Sequence, residues 1–418
     1  MFYQLHHFTQ FVIMRIKIRT DTKLVPENYT EPNENHELIT EELVRNGLQK
    51  DKGKNAELLS WNIKDFTKKG DGYTSFVTSV TVKYKKDEIQ SEASYVVKLN
   101  PKRPPGPMAD MTKMMFPRET VILTDIIGAM NRHLERLFLE PLRTPKVFSS
   151  TMEDGKESFL AENLRTQGFQ MHPKKEAQDV HHAVLEPWFG PNSSFFNIFL
   201  NMIKSQSEVA INFLSEIPKY EKCVKWLQAH KDTFGAYYFE AFTPRKPFEV
   251  LVHGDCHTNN MLFKYNSMNE PIDMRFVDLQ CTRMGSPASD IDYFAYSSLG
   301  GETRSKYFPK LLYTYYQSFS KVLLFARKKV PFTFKELEDE VEDRKMLGFV
   351  IGIMSLQFLL GEEDDVVDMG EMREDNMEEF AEKSRKTFEK LSKGGGPFKD
   401  RFLALFDDML ESHIFDEN

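Results

Sequence analysis

Between Leu58 and Leu164 the apolar positions recur mainly at the two-residue period of a strand. Leu58 to Thr67 reads as one strand, and the next carries Phe76, Val80, Val82 and Tyr84 on one face. A third covers Ala93 to Leu99. Because side chains alternate, Val96 and Lys98 point one way and Tyr95, Val97 and Leu99 the other. Pro145 to Ser150 and Ser158 to Leu164 read as two more, joined by Glu153-Asp154-Gly155-Lys156. Two helices are predicted among them. One opens at Thr40-Glu41-Glu42 and ends near Gly47. The other starts at Pro117, in the first-turn position that suits proline, and carries the stripe Ile122/Leu123, Ile126/Ile127, Met130, Leu134 and Leu137.

Further on the period changes. Residues 194–240 and 301–360 carry helical stripes, one of them Phe308, Leu311, Leu312, Tyr315, Tyr316 and Phe319. Thr333-Phe334-Lys335-Glu336 reads as a capping box, and Phe398 to Phe415 as a final helix after a Gly-rich break. The longest apolar stretch, Met346 to Leu360, is shorter than the roughly 20 residues a membrane span needs, so a buried helix is expected. A β-rich first part and a mainly helical second part make an α+β chain.

The candidate chemistry lies between Phe248 and Gln280. An apolar run, Phe248, Val250, Leu251 and Val252, delivers His253-Gly254-Asp255, and Asn260 follows five residues after Asp255. Met261-Leu262-Phe263 and Phe276-Val277 flank a turn-rich segment, so a hairpin should return Asp278 beside Asn260. Phosphoryl transfer from ATP needs one carboxylate to accept the proton of the attacking hydroxyl. An amide oxygen and a second carboxylate must hold Mg2+ at the phosphates. Asp255 fits the base, Asn260 and Asp278 the metal ligands, and His253 would hold the loop's shape by hydrogen bonding. Upstream, Gly70 and Gly72 lie in a turn between strands, where backbone amides could approach phosphates. Val96 would lie over adenine, and Lys98, two positions on, would reach the α- and β-phosphates.

The motif H-G-D-C-H-T-N-N-M-L-F-K-Y, with F-V-D-L-Q and G-S-P-A-S-D-I-D-Y-F after it, resembles the ecdysteroid kinase-like family of insects, which belongs with the choline and aminoglycoside kinases. The resemblance covers roughly residues 40–415 and is strongest over 248–298. It implies a two-lobed protein kinase-like fold: a tail over 1–39, a nucleotide-binding N-lobe over 40–164, and a C-lobe over 165–418. It also implies that Glu119, placed after Phe116, pairs with Lys98, and that the backbone near Glu162 to Leu164 bonds adenine. Asp290 would brace the catalytic loop, although a helix N-cap accounts for it equally well. The chain departs from the family where His257 replaces a usual aromatic and Leu279 a usual phenylalanine. The segment 170–200, with His181, His182 and Pro187, also fits the family less well.

Composition narrows the partners. A net charge of −8 argues against a nucleic-acid surface. Three cysteines without a C-x-x-C pair argue against a disulfide framework and for a reducing, cytoplasmic location. The first fourteen residues are partly apolar, but their basic residues follow rather than precede the run, so a loose tail is expected rather than a secretory signal. A mitochondrial address, or a start at Met14, stays open. His253, Cys256 and His257 are zinc-type ligands, yet no remote pair completes such a site. The acidic run from Glu362 to Glu379 reads as a solvated face. Only twelve positions separate Asp278 from Asp290 and no A-P-E follows, which leaves little platform for a peptide substrate.

The expected activity is ATP- and Mg2+-dependent transfer of a phosphoryl group to an apolar alcohol, such as an ecdysteroid or a hydroxylated foreign compound. No nucleic acid, membrane or protein partner is expected. A choline- or aminoglycoside-type kinase and a catalytically impaired binding protein are the alternatives.

Overall fold

The computed structural model describes residues 34–66, 75–103, 106–171, 194–255, 257–361, 376–394, 396–412 and 414. Gly70, Gly72, Cys256, His181, His182, Pro187 and most of the acidic run lie outside them.

Five antiparallel strands form the first sheet: β1 (Glu57–Asp65), β2 (Phe76–Lys86), β3 (Ile89–Leu99), β4 (Val147–Thr151) and β5 (Ser158–Glu162), in the order β1-β2-β3-β5-β4. Helix α1 (Glu41–Lys52) covers one face. Its Leu43, Val44 and Leu48 pack with Val80, Val82, Tyr95, Val97, Leu99 and Leu160. Sealing Tyr95, Val97 and Leu99 under α1 turns Lys98 to the opposite face, as the alternation predicts. Thr40 caps α1 by accepting from the Leu43 amide at 3.1 Å. The helix does not stop at Gly47 as predicted. A Cβ there would lie 2.7 Å from the Leu160 side chain, so Gly47 lets the helix approach the sheet.

The second predicted helix is also corrected. It begins ten residues earlier, as α2 (Pro107–Val121), with Pro107 in the first turn and Pro117 in its interior. A widened turn over Ile122–Ile126 then leads into α3 (Ile127–Arg136). Pro117 has no N–H to offer the carbonyl of Lys113 one turn back. The helix tolerates this while burying Phe116 and Glu119 on either side of the proline. Glu119 therefore stands in the last turn of α2, where the backbone runs on helically into the widened turn.

The second part of the chain is mainly helical: α4 (Ser194–Ser215), α5 (Glu221–His230), α6 (Phe234–Ala241), α7 (Pro287–Ser298), α8 (Gly301–Phe325), α9 (Phe334–Leu360), α10 (Met377–Lys393) and α11 (Phe398–Glu411). The predicted last helix thus ends at Glu411 rather than Phe415. Met346 to Leu360 lies within α9, buried over most of its length and packed against α7. At Gly348 a side chain would strike the Tyr296 ring, so glycine sets that close approach. No helix among the described residues is long and apolar enough to cross a membrane. Antiparallel sheet followed by helices makes this an α+β fold.

The capping box at α9 is present. Thr333 Oγ1 accepts from the Glu336 amide at 3.2 Å, and Glu336 Oε2 accepts from the Thr333 amide at 2.6 Å. Thr333→Ala should cost about 1 kcal/mol in urea unfolding and leave ATP binding unchanged. No loss of stability would mean that α9 is held by packing alone.

Two small sheets carry the candidate site. Strand β7 (Val250–Val252) pairs with β10 (Arg283–Gly285), while β6 (Phe169–Met171), β8 (Met261–Tyr265) and β9 (Pro271–Phe276) form the other. β8 and β9 make the predicted hairpin, with Met261 opposite Phe276. Its turn is tied by Asn266 Oδ1, which accepts from the amides of Met268 and Glu270 at 2.9 Å each. The Val277 amide donates to the Asn260 carbonyl at 3.1 Å, so the ends of the hairpin meet where the spacing predicts.

Candidate active site

Residues 253–255 follow β7, and residues 257–260 lead into β8. Buried Val252 anchors the first segment, and Gly254 turns it with φ +94°, a conformation that favours glycine. The amides of His253 and Gly254 donate to Asp290 Oδ2 and Oδ1 at 3.1 and 3.4 Å. Asp290 sits in the first turn of α7, but the N-cap is Ser286, whose Oγ accepts from the Ala288 amide at 3.2 Å. Of the two roles open to Asp290, the geometry gives it the loop. His253 is fully buried with its ring beside Phe276. Burial pushes its pKa down to about 4, against the pull of Asp255, Asp278 and the Val277 backbone, so the ring is neutral at pH 7.

Asp255 follows with both oxygens engaged. Oδ1 accepts from the Tyr293 hydroxyl at 2.8 Å. Oδ2 accepts from Asn260 Nδ2 at 3.1 Å and lies 3.2 Å from His257 Nε2. Burial raises the carboxyl's pKa. The charge and hydrogen bond of His257, with the bonds from Tyr293 and Asn260, outweigh that and bring it down to about 2. The side chain still keeps 26% of its surface exposed, so another molecule can reach it. Asn260 Nδ2 also donates to the Asp255 carbonyl at 3.0 Å. With its amide nitrogen committed to Asp255, Asn260 has its Oδ1 for other use.

Asp278 closes the group. It adopts left-handed backbone, with φ +62°, directly after the hairpin. Lys98 Nζ lies 2.5 Å from Asp278 Oδ1 and 2.6 Å from Glu119 Oε2. The second oxygen of Glu119 accepts from the Leu279 amide at 3.1 Å, so both oxygens of this buried acid are bonded. Gln280 Nε2 donates to Asp278 Oδ2 at 3.3 Å. Burial would lower the pKa of Lys98, but the charges of Asp278 and Glu119 overcome it and raise it. For Glu119 the net direction is also up, because burial outweighs the pull of Lys98. One ammonium thus faces two carboxylates. Leu279 is fully buried with Ile122, Ile127, Leu139 and Leu142, so this departure from the family pattern sits in a leucine and isoleucine core.

The structure therefore brings Lys98, Glu119 and Asp278 into one bonded cluster, and Asp255, Asn260 and His257 into a second across the hairpin. Val96 lies opposite Ala161 on the strand that carries Lys98. The Glu162 amide is taken by the Lys146 carbonyl at 2.9 Å, and Leu164 opens the turn that follows β5. Among the described residues no group of three or more His, Cys, Asp or Glu side chains is placed to hold a metal. Sequence reasoning missed Tyr293 and Gln280 as contacts of the acidic residues. For Tyr293 a signal existed, since it lies three residues after Asp290 and so on the same helix face.

This arrangement, on a β-sheet followed by a mainly helical part, is that of the kinase-like class. The sequence profile of the ecdysteroid kinase-like family matches residues 69–186 and 190–327, and the chain belongs to that family. The matched spans are narrower than the 40–415 expected but include all of 248–298. No curated protein matches the chain.

Proposed function

We propose that the protein is an ATP-dependent small-molecule kinase that transfers the γ-phosphoryl group to a hydroxyl of a mostly apolar alcohol. One observation carries the reading: Lys98 bonds both Glu119 and Asp278, while Asp255 and Asn260 stand across the same hairpin. Kinases hold the phosphates of ATP with such a lysine and take the hydroxyl proton with such an aspartate. Lys98 would bind the α- and β-phosphates, with Glu119 fixing its position. Val96, the Glu162 carbonyl and the Leu164 amide would receive adenine. Asp255, ionised at neutral pH, would orient the acceptor hydroxyl and take its proton as the bond to phosphorus forms. The reading places ATP between an N-lobe over 40–164 and a C-lobe over 165–418, in a cytoplasmic enzyme.

The donor set also fits Mg2+. Lys98 balances only one of its two carboxylate partners. The excess negative charge falls on Asp278, whose side chain is 28% exposed against 3% for Glu119. Asn260 adds a neutral amide oxygen, and one or two protein ligands plus substrate phosphates are what Mg2+ usually takes. Asp278 and Asn260 would hold the ion, which neutralises charge on the phosphates when bound.

A panel of ecdysone, a phenolic glycoside, a simple phenol, choline and an aminoglycoside, assayed with labelled ATP and Mg2+, tests the acceptor class. Phosphorylation of ecdysone or a phenol supports the proposal. Transfer to choline or the aminoglycoside alone would overturn the choice of an apolar alcohol, and no transfer at all would favour a binding protein. His257, in contact with Asp255, is proposed to tune the choice. His257→Trp should re-rank the acceptors while changing ATP affinity little, and an unchanged ranking removes that role.

A further inference from the structure

The base is held from a direction that the kinase motif does not specify. Helix α7 turns one face to the catalytic loop. Asp290 accepts from the amides of His253 and Gly254, Tyr293 one turn later donates to Asp255 Oδ1, and Ser298 lies 3.3 Å from the Thr258 hydroxyl. The first two are three residues apart, the spacing that puts side chains over one another on a helix. The loop's backbone and the carboxylate on it are thus fixed by the same rigid element.

A carboxylate offers about four lone-pair sites, two on each oxygen. Among the described residues, Asn260 and His257 meet Asp255 at Oδ2 and Tyr293 meets it at Oδ1. Among these contacts the open lone-pair site is on Oδ1. Tyr293 is 6% exposed and set in the helical core, so its hydroxyl cannot follow a rotating carboxylate.

We propose that Asp255 Oδ1 is the oxygen that takes the acceptor's proton, and that Tyr293 is the positioning residue that aims it. The inference rests on the proposed phosphoryl transfer. The acceptor's O–H bond breaks and its proton goes to Oδ1. Its oxygen bonds the γ-phosphorus, and the electron pair of the broken P–O bond leaves on ADP. Tyr293 exchanges no proton. Its hydrogen bond holds the free Oδ1 lone pair towards the hydroxyl.

Tyr293→Phe removes one oxygen and keeps the packed ring. The test uses the full chain, with the panel alcohol that the wild type phosphorylates fastest. Rates are expressed per ATP-binding site counted by equilibrium titration, which removes any effect of misfolded protein. Alcohol phosphorylation should fall roughly 10- to 100-fold, the scale of a misaligned reacting group, with an unchanged KM for ATP. Hydrolysis of ATP by water, a small and mobile acceptor, should fall less, so the ratio of phosphorylated alcohol to free phosphate drops. A purely structural tyrosine would lower both rates in step. A wild-type ratio in Tyr293→Phe overturns the inference and spares the kinase reading. A wild type that binds Mg-ATP but phosphorylates no alcohol overturns both.

Discussion

Asp255→Asn lowers alcohol phosphorylation by roughly 10²–10⁴-fold, the usual range for a lost general base, and leaves Mg-ATP binding intact. The substitution keeps shape and most hydrogen bonds. The new amide can turn its oxygen to Asn260 Nδ2, which donates at Oδ2, beside His257 Nε2 at 3.2 Å. Its NH2 then meets the Tyr293 hydroxyl, which can accept as well as donate. The loop backbone is fixed separately by Asp290, so its shape survives. What is lost is the charge and the site that takes a proton. The depressed pKa of Asp255, about 2, means that the wild-type carboxylate is fully ionised at neutral pH but weakly basic in the ground state. On the proposed reading its advantage arises late, when the acceptor oxygen is bonding phosphorus and its proton has become acidic enough to pass to Asp255. Turnover and ATP titration on the same preparation check this, and near-normal turnover in Asp255→Asn would remove Asp255 as the base.

The elements whose patterning has a single physical solution are those that sequence reading recovers. Lys98 and Val96 share a face because Tyr95, Val97 and Leu99 must all go under α1. The return of Asp278 to Asn260 follows from two apolar runs about a turn that Asn266 can tie. The capping box at Thr333 is local in both sequence and space. The misread elements had two solutions each. Proline at 107 and proline at 117 can both start a helix, and only the burial of Phe116 and Glu119 makes the second one internal. Gly47 could end α1 or let it touch β5, and the choice depends on Leu160, which is distant in sequence. Tyr293 has the signature of a core aromatic because it is one. Only its hydroxyl belongs to the site, and the three-residue spacing from Asp290 gives its helix face but not where the hydroxyl ends.

Asp278→Ala abolishes the magnesium dependence of ATP binding. In the protein without nucleotide, the Lys98 ammonium is shared by Glu119 and Asp278, so the cluster carries one negative charge too many. On the proposed function, phosphates approaching Lys98 would meet the Asp278 carboxylate and be repelled, so ATP alone should bind weakly. A divalent cation would turn that repulsion into a bridge and raise the affinity. Alanine leaves Lys98 paired with Glu119 in a neutral couple. Metal-free ATP then binds no worse than to the wild type, while magnesium adds little, since the neutral amide of Asn260 is a poor ligand by itself. Phosphoryl transfer should be lost with it. Backbone conformation complicates the comparison, because Asp278 has φ +62° and alanine tolerates left-handed backbone less well than aspartate or asparagine, at a cost of about 1–2 kcal/mol. Asp278→Asn separates the two effects. It removes the charge, keeps a side chain suited to that backbone, and should lose the magnesium increment without the added instability. Calorimetric titration of ATP with and without magnesium decides the matter for both variants. A wild-type increment in either would show that Asp278 is not the residue through which the metal acts.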